Sequence, residues 1–249
     1  MNIGEFNPTH TLLIQQSSDD SNGEIPITNE IIRLYSDHDY SVHLCLLDDQ
    51  IESDYPEILK EIRHEFDQSE DSGCYTETFP NCENALMSLL SIRTWHRFVS
   101  IASLTISGDE GPVLHYVPDH NVFEVDVTAS SDIEERIESV TEKKSACLLP
   151  KTALAEWKSG GTTYAIAPPS LCIDNSCFQL SKLQDTSINE DDLSVSLSWS
   201  ATNQRGAGLI EQVFGFLGSN RPSVIEFQDR ETFESVVEAF SMIENKCGG

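Results

Sequence analysis

The chain has 249 residues, 42 acidic and 15 basic, giving a formal net charge of −27; 39% of the residues are hydrophobic, enough to build a packed core and to exclude wholesale disorder. Nucleic acid and anionic membrane surfaces are disfavoured as partners, because both need clustered Lys and Arg and there is no basic stripe. The acids are scattered through patterned segments rather than gathered in one tail, which favours the expectation of a halophilic, archaeal-type protein over that of an acidic mesophilic one. At low ionic strength such a surface repels itself; near 1 M salt, where the Debye length is about 3 Å, that repulsion is screened.

No apolar run approaches the ~20 residues of a spanning helix, and the opening residues MNIGEF lack the basic and apolar parts of a signal peptide. The expectation is a cytoplasmic protein without membrane insertion. Its cysteines, at 45, 74, 82, 147, 172, 177 and 247, are odd in number and irregular in spacing. They read as free thiols, several of them buried as small hydrophobes.

Taken in chain order, residues 10–16 (HTLLIQQ) read as a strand. Residues 26–35 read as a helix with Ile27, Ile31 and Leu34 at helical spacing and Thr28 as N-cap. Residues 40–47 (YSVHLCLL) form a strand, and Pro56 opens a helix to about residue 68 with an Ile58, Ile62, Phe66 stripe. A short strand over 74–79 precedes a helix capped by Asn81 that carries Leu86, Leu89, Leu90 and Ile92. Residues 98–106, 113–117 and 122–127 look like an antiparallel meander. This order predicts a mixed sheet with helices on its faces.

Residues 130–144 (SSDIEERIESVTEKK) are charged and helical in period, and are read as a connector. The charge changes here: 29 acidic against 8 basic residues up to Lys144, 13 against 7 beyond it. Past the connector, short strands dominate. Residues 170–173 and 177–180 flank Asp174-Asn175, a two-residue hairpin signal. Residues 193–199 (LSVSLSW) alternate strictly. Asp229 caps a final helix with a Phe233, Val236, Val237, Phe240 stripe.

The run YAIAPPSLCIDNSCFQLSKLQDTSI, then LSVSLSW, then PSVIEFQDRETFESVVEAF, resembles the pleckstrin-homology-like domains of bacteria and archaea. Phe178-Gln179-Leu180-Ser181-Lys182-Leu183 matches the family's phenylalanine-x-leucine-x-x-leucine piece, and residues 224–240 match its last strand and closing helix. An insert at 203–220 departs from the pattern. The resemblance implies a bent antiparallel β-barrel plugged by the helix, and a binding role. The basic mouth that lipid headgroups need is missing, so the implied partner is a protein.

No G-x-S-x-G elbow, phosphate-binding glycine loop or H-E-x-x-H motif is present. The apolar run Leu209, Ile210, Val213, Phe214, Phe216 and Leu217, flanked by glycines, is a candidate contact surface. Trp95, His96 and Arg97 form a rare positive, aromatic spot able to receive a carboxylate or phosphate, if they do not simply cap a helix end. Cys172 and Cys177 face each other across a hairpin as half of a metal site or a disulfide. His43 and Cys45 share a strand face, and His38, His115 and His120 lie near turns. The acids at 48–49 and 190–192 read as solvated surface.

These readings predict an α+β protein: an α/β domain over 1–129 with a mixed sheet, a helical connector over 130–144, and a pleckstrin-homology-like domain over 145–249. The function they favour is a non-enzymatic halophilic adaptor or regulatory protein whose second domain binds protein, with no cofactor and no metal. The alternative is an enzyme or small-molecule-binding protein using a cleft in the first domain; clustering of His43, His115 and His120 would favour it.

Overall fold

The computed structural model describes residues 6–15, 24–92, 100–120, 122–142, 144–200 and 221–247. The first part contains β1 (His10–Ile14), α1 (Glu24–Arg33), β2 (Ser41–Leu46), α2 (Asp48–Asp54), α3 (Pro56–Glu65), β3 (Asp67–Gln68), β4 (Cys74–Thr78), α4 (Glu83–Leu90), β5 (Ile101–Gly108), β6 (Gly111–Val117), β7 (Val122–Val125) and α5 (Ile133–Thr141). With β8 (Ala146–Pro150) its strands make one eight-stranded sheet, in the order β3-β4-β2-β5-β6-β7-β1-β8.

Every neighbouring pair in this sheet is antiparallel, which overturns the α/β mixed-sheet expectation. The β-α-β alternation is present, and its helices do join strands of like direction. In each case, however, one or more strands lie between the two. β2 lies between β4 and β5, which α4 connects, and β1 lies between β7 and β8, which α5 connects. These are split β-α-β units. Helical crossovers therefore coexist with a wholly antiparallel ladder, and the fold is mainly β.

The helices pack on one face of the sheet. Ile31, Ile32, Leu59, Ile62, Leu86, Leu89 and Ile137 meet Val42, Leu44, Leu104, Ile106 and Leu114 in a first core. α1 begins before Thr28, so that residue is a buried position inside the helix and not its cap. The N-terminal turn of α4 is capped from outside: Glu65 Oε2 accepts a hydrogen bond from Ala85 N at 3.0 Å. α5, the expected connector, buries Ile133 and Ile137 in this same core.

The second part adds β9 (Ala155–Ser159), β10 (Thr162–Ala167), β11 (Ser170–Ile173) and β12 (Ser176–Gln179) in one meander, and β13 (Leu183–Asn189), β14 (Ser194–Trp199) and β15 (Val224–Glu226) in another sheet. The β9–β10 turn is Gly160-Gly161, both at positive φ (58° and 89°), as a tight two-residue hairpin demands. Asp174-Asn175 closes the β11–β12 hairpin, with Asp174 at φ 49° and its Oδ1 accepting from Thr163 N at 2.8 Å. Asp229 caps α6 (Arg230–Cys247) by accepting from Thr232 N at 2.8 Å.

The four-stranded and three-stranded sheets remain separate, and no sheet closes on itself. The barrel that the family resemblance implied is therefore corrected to two open sheets with α6 packed on them. Closure depends on which strands pair at long range, and β12 and β13 do not pair.

The two parts share strands. Side chains alternate across a strand, and β1 sends Leu12 into the first core and Leu13 into the second. β8 likewise sends Ala146 and Leu148 one way and Cys147 and Leu149 the other. The second core surrounds these with Trp157, Ile166, Leu171, Val195, Leu197, Phe233, Val236 and Phe240. Lys246 of α6 caps the outer edge of β8 by donating to Leu148 O at 3.5 Å, and pairs with Glu138 of α5 at 3.1 Å.

Six of the seven cysteines are bonded: Cys45–Cys74, Cys147–Cys247 and Cys172–Cys177, with Cα atoms 4.1, 4.8 and 4.0 Å apart. The expectation of free thiols holds for Cys82 alone, which is buried. Sequence spacing gave no hint of the first two bonds because their partners come from elements 29 and 100 residues apart.

Candidate functional site

The β1–β7 ladder is short. His10 pairs with Val125 and Thr11 with Glu124; beyond Thr11, β1 follows β8 alone. The two strands part like a fork, and a cavity of about 220 Å³ opens between them. Its wall is apolar on the sheet side, from Leu12, Leu13, Ile14, Tyr116, Val122 and Phe123. Polar groups arrive from elsewhere: Thr28 from α1, His120 from the turn after β6, and Ser170, Gln179 and Ser181 from the second part. Pro169 completes the rim.

The side chains of Ser170, Gln179 and Ser181 have no hydrogen-bond partner among the described residues. The cavity thus joins apolar surface to hydroxyl and amide groups available to a guest, at the junction of the two parts, where small-molecule sites are commonly found. His120 is the histidine in this lining, and it is exposed.

His43 and His115 lie on the sheet face away from the first-part helices. His43, Thr105, His115 and Glu124 occupy one row across β2, β5, β6 and β7. Thr105 Oγ1 and His115 Nδ1 are 3.0 Å apart. Burial pushes the His115 imidazole below its ordinary value, opposed by the charge of Glu124. Glu124 is ion-paired with Lys151. His43 and His115 thus flank Thr105 on one face, while His120 lies outside the row on its own turn. The three do not form one cluster.

Trp95, His96 and Arg97 lie outside the described residues, as do Leu209, Ile210, Val213, Phe214, Phe216 and Leu217. Cys172 and Cys177 are register partners across the β11–β12 hairpin and are bonded to each other. As a disulfide they offer no thiolate to a metal, so the half-site reading is corrected to a covalent staple. Around residues 190–192, Asn189 Oδ1 accepts from Asp191 N and Asp192 N at 3.1 and 3.2 Å, which is turn chemistry at the surface.

The lining residues Thr28, Ser170, Gln179 and Ser181 do not read as a site in the sequence: Thr28 reads as a helix cap, Gln179 and Ser181 stand in the piece matched to the family pattern, and Ser170 in a hairpin strand. The nearest signal was the pair of unbroken apolar runs in β1 and β8, which mark strands buried on both faces. Comparison with models of known families, with curated proteins and with solved structures finds no match. The fold and site define a mainly antiparallel β protein with two cores, shared strands and a cavity at their junction.

Proposed function

We propose that this protein binds a small, uncharged, partly apolar ligand in the fork between β1 and β7. The observation that carries the reading is the lining: six apolar side chains on the sheet side facing hydroxyl and amide groups from the second part that have no hydrogen-bond partner among the described residues. At about 30 Å³ per water, the cavity has room for roughly seven waters, or for a ligand with a similar number of heavy atoms. A charged ligand fits poorly, because the lining supplies no Lys, Arg, Asp or Glu. The test is ligand-observed NMR with a panel of small neutral amides, lactones and phenols, on the parent and on Ser181→Phe, which fills the cavity from its rim. Hits should be lost in Ser181→Phe. Hits that bind both proteins equally, or a panel without hits, overturn the reading.

A protein-binding role has one observation in its favour. β13 ends the three-stranded sheet, and five of its seven residues are exposed, including Ile188 at 43%. Such an edge is a template for an added strand. Ile188→Lys should abolish capture of a partner that uses this edge and leave the fork hits unchanged.

No helix among the described residues is long and apolar enough to cross a membrane. A cytoplasmic location has a redox consequence. There, thiol systems reduce accessible disulfides. The Cys45–Cys74 and Cys172–Cys177 pairs, which are not fully buried, would open, while the buried Cys147–Cys247 bond would persist.

A further inference from the structure

Cys45 and Cys74 sit directly opposite each other on β2 and β4, and His43 lies two residues before Cys45 on the same face of β2. Cys45 Sγ and His43 Nδ1 are 3.8 Å apart, and the ligand atoms of all three residues lie within 4.8 Å of one another. His43 and Cys45 are half-buried. Among the described residues, the helix and strands of the second core cover this face at the far end, over β1 and β8, away from β2 and β4. We propose that the Cys45–Cys74 disulfide is the closed form of a redox-gated site for a soft divalent metal, Zn²⁺ above all, ligated by His43, Cys45 and Cys74.

The chemistry balances with a dithiol as reductant. The dithiol gives up two electrons and two protons and closes its own disulfide. The Cys45–Cys74 bond breaks and two thiols form. When the metal binds, each thiol loses its proton to water, so two thiolates and a neutral imidazole hold the ion. Thiolate and imidazole favour zinc over the hard cations that surface carboxylates attract.

The geometry suits a tetrahedral ion. Zn–S bonds of about 2.3 Å and Zn–N bonds of about 2.0 Å put a sulfur and a nitrogen roughly 3.5 Å apart and two sulfurs roughly 3.8 Å apart. The sulfur–nitrogen separation, 3.8 Å, is within a few tenths of an ångström of the tetrahedral value. The two sulfurs need only separate to theirs by side-chain rotation, on strands whose Cα atoms are 4.1 Å apart. The fourth position is left for water or a guest, as in open three-ligand zinc sites. The net charge of −27 adds a general attraction that raises the local cation concentration without choosing the metal.

Among the described residues the other pairs have no third ligand grouped with them. Cys147–Cys247 is buried in the second core, and Cys172–Cys177 has no histidine in its cluster among the described residues. The site thus exists only in the reduced protein, which makes metal binding a readout of redox state.

The experiment is Co²⁺ titration of the full chain in high KCl, oxidised and then reduced and desalted under argon. Thiolate-to-cobalt charge-transfer bands report this site and ignore carboxylates. Reduced protein should take one Co²⁺ per chain with tetrahedral visible bands, displaced by Zn²⁺, and oxidised protein should show none. Cys172→Ser/Cys177→Ser should keep the signal. Cys45→Ser/Cys74→Ser should lose it, and His43→Ala should weaken binding by at least about tenfold. Bands in the oxidised protein, their absence from the reduced one, or their survival in Cys45→Ser/Cys74→Ser overturns the proposal. If that double variant loses its far-UV spectrum, His43→Ala decides, since it leaves both thiols; unchanged affinity there rejects the site.

Discussion

Replacing Leu13 with Ala tests whether the two cores are one cooperative unit. Leu13 lies on the first strand of the chain, is 2% exposed, and packs into the second core with Cys147 and Leu149. Truncating a buried Leu to Ala costs about 2–5 kcal/mol, set by how far the cavity collapses. Neighbours on a sheet are held by their ladder, so collapse is limited and about 3 kcal/mol is expected. For a chain of this size that lowers Tm by roughly 6–12 °C. The assay follows tryptophan fluorescence in a Trp95→Phe background, so that Trp157 and Trp199, both at the second core, report. Far-UV circular dichroism follows the whole chain. Both signals should fall together, by the same amount. Leu12→Ala, on the opposite face of the strand and in the first core, should also move both. A tryptophan transition that stays at the parent's midpoint in Leu13→Ala would refute the shared-strand argument.

Further outcomes follow from the same features. Air-oxidised protein, denatured without reductant, should alkylate at one thiol, Cys82. In the native state even that thiol should be silent, because burial pushes its pKa up to about 12; seven reactive thiols in the denatured oxidised sample would remove all three bonds. Burial lowers the pKa values of His10 and His115 below the ordinary value of 6.5. The unfolded chain therefore takes up protons first as pH falls, and the stability these groups contribute is full above pH 6.5 and is lost as pH drops toward their folded values. His115→Gln should flatten that loss in urea titrations between pH 7 and 5, and an unchanged slope in His10→Gln/His115→Gln would reject this origin. Tm should rise steeply with KCl up to about 1 M, and a flat curve would end the halophilic reading.

Local chemistry carried much of the fold. The hairpin at Asp174-Asn175, the cap at Asp229, the α6 stripe and most strand positions follow from turn residues, capping and periodicity. Long-range pairing did not follow, and it decides the rest. A helix between two strands reads as a parallel crossover, and nothing in residues 74–108 announces that β2 will enter between β4 and β5. Barrel closure failed for the same reason. The candidate site was partly legible: the shared face of His43 and Cys45 comes from period two. Cys74 joins them only through the β2–β4 register, and the fork cavity only through the point where β1 leaves β7.

The shared strands also change how the charge asymmetry acts. Up to Lys144 the chain holds 29 acidic against 8 basic residues, and beyond it 13 against 7. In two independent domains, self-repulsion would melt the first at low salt and spare the second. Here the second core takes Leu13, Cys147 and Leu149 from strands of the first part's sheet, and α5 is tied to α6 by the Glu138–Lys246 pair. Loss of β1 from β8 would strip the second core of its Leu13 contact and expose the apolar faces of Cys147 and Leu149. At roughly 25 cal/mol per Å² of apolar surface, that exposure is a large fraction of a core's margin. Repulsion among the acids of the first part is thereby transmitted to the second. The KCl dependence of the Trp157 and Trp199 fluorescence should therefore match that of the far-UV signal. A fluorescence midpoint that stays constant from 0.05 to about 1 M KCl, while the far-UV midpoint climbs, would show that the two cores unfold separately despite the strands they share.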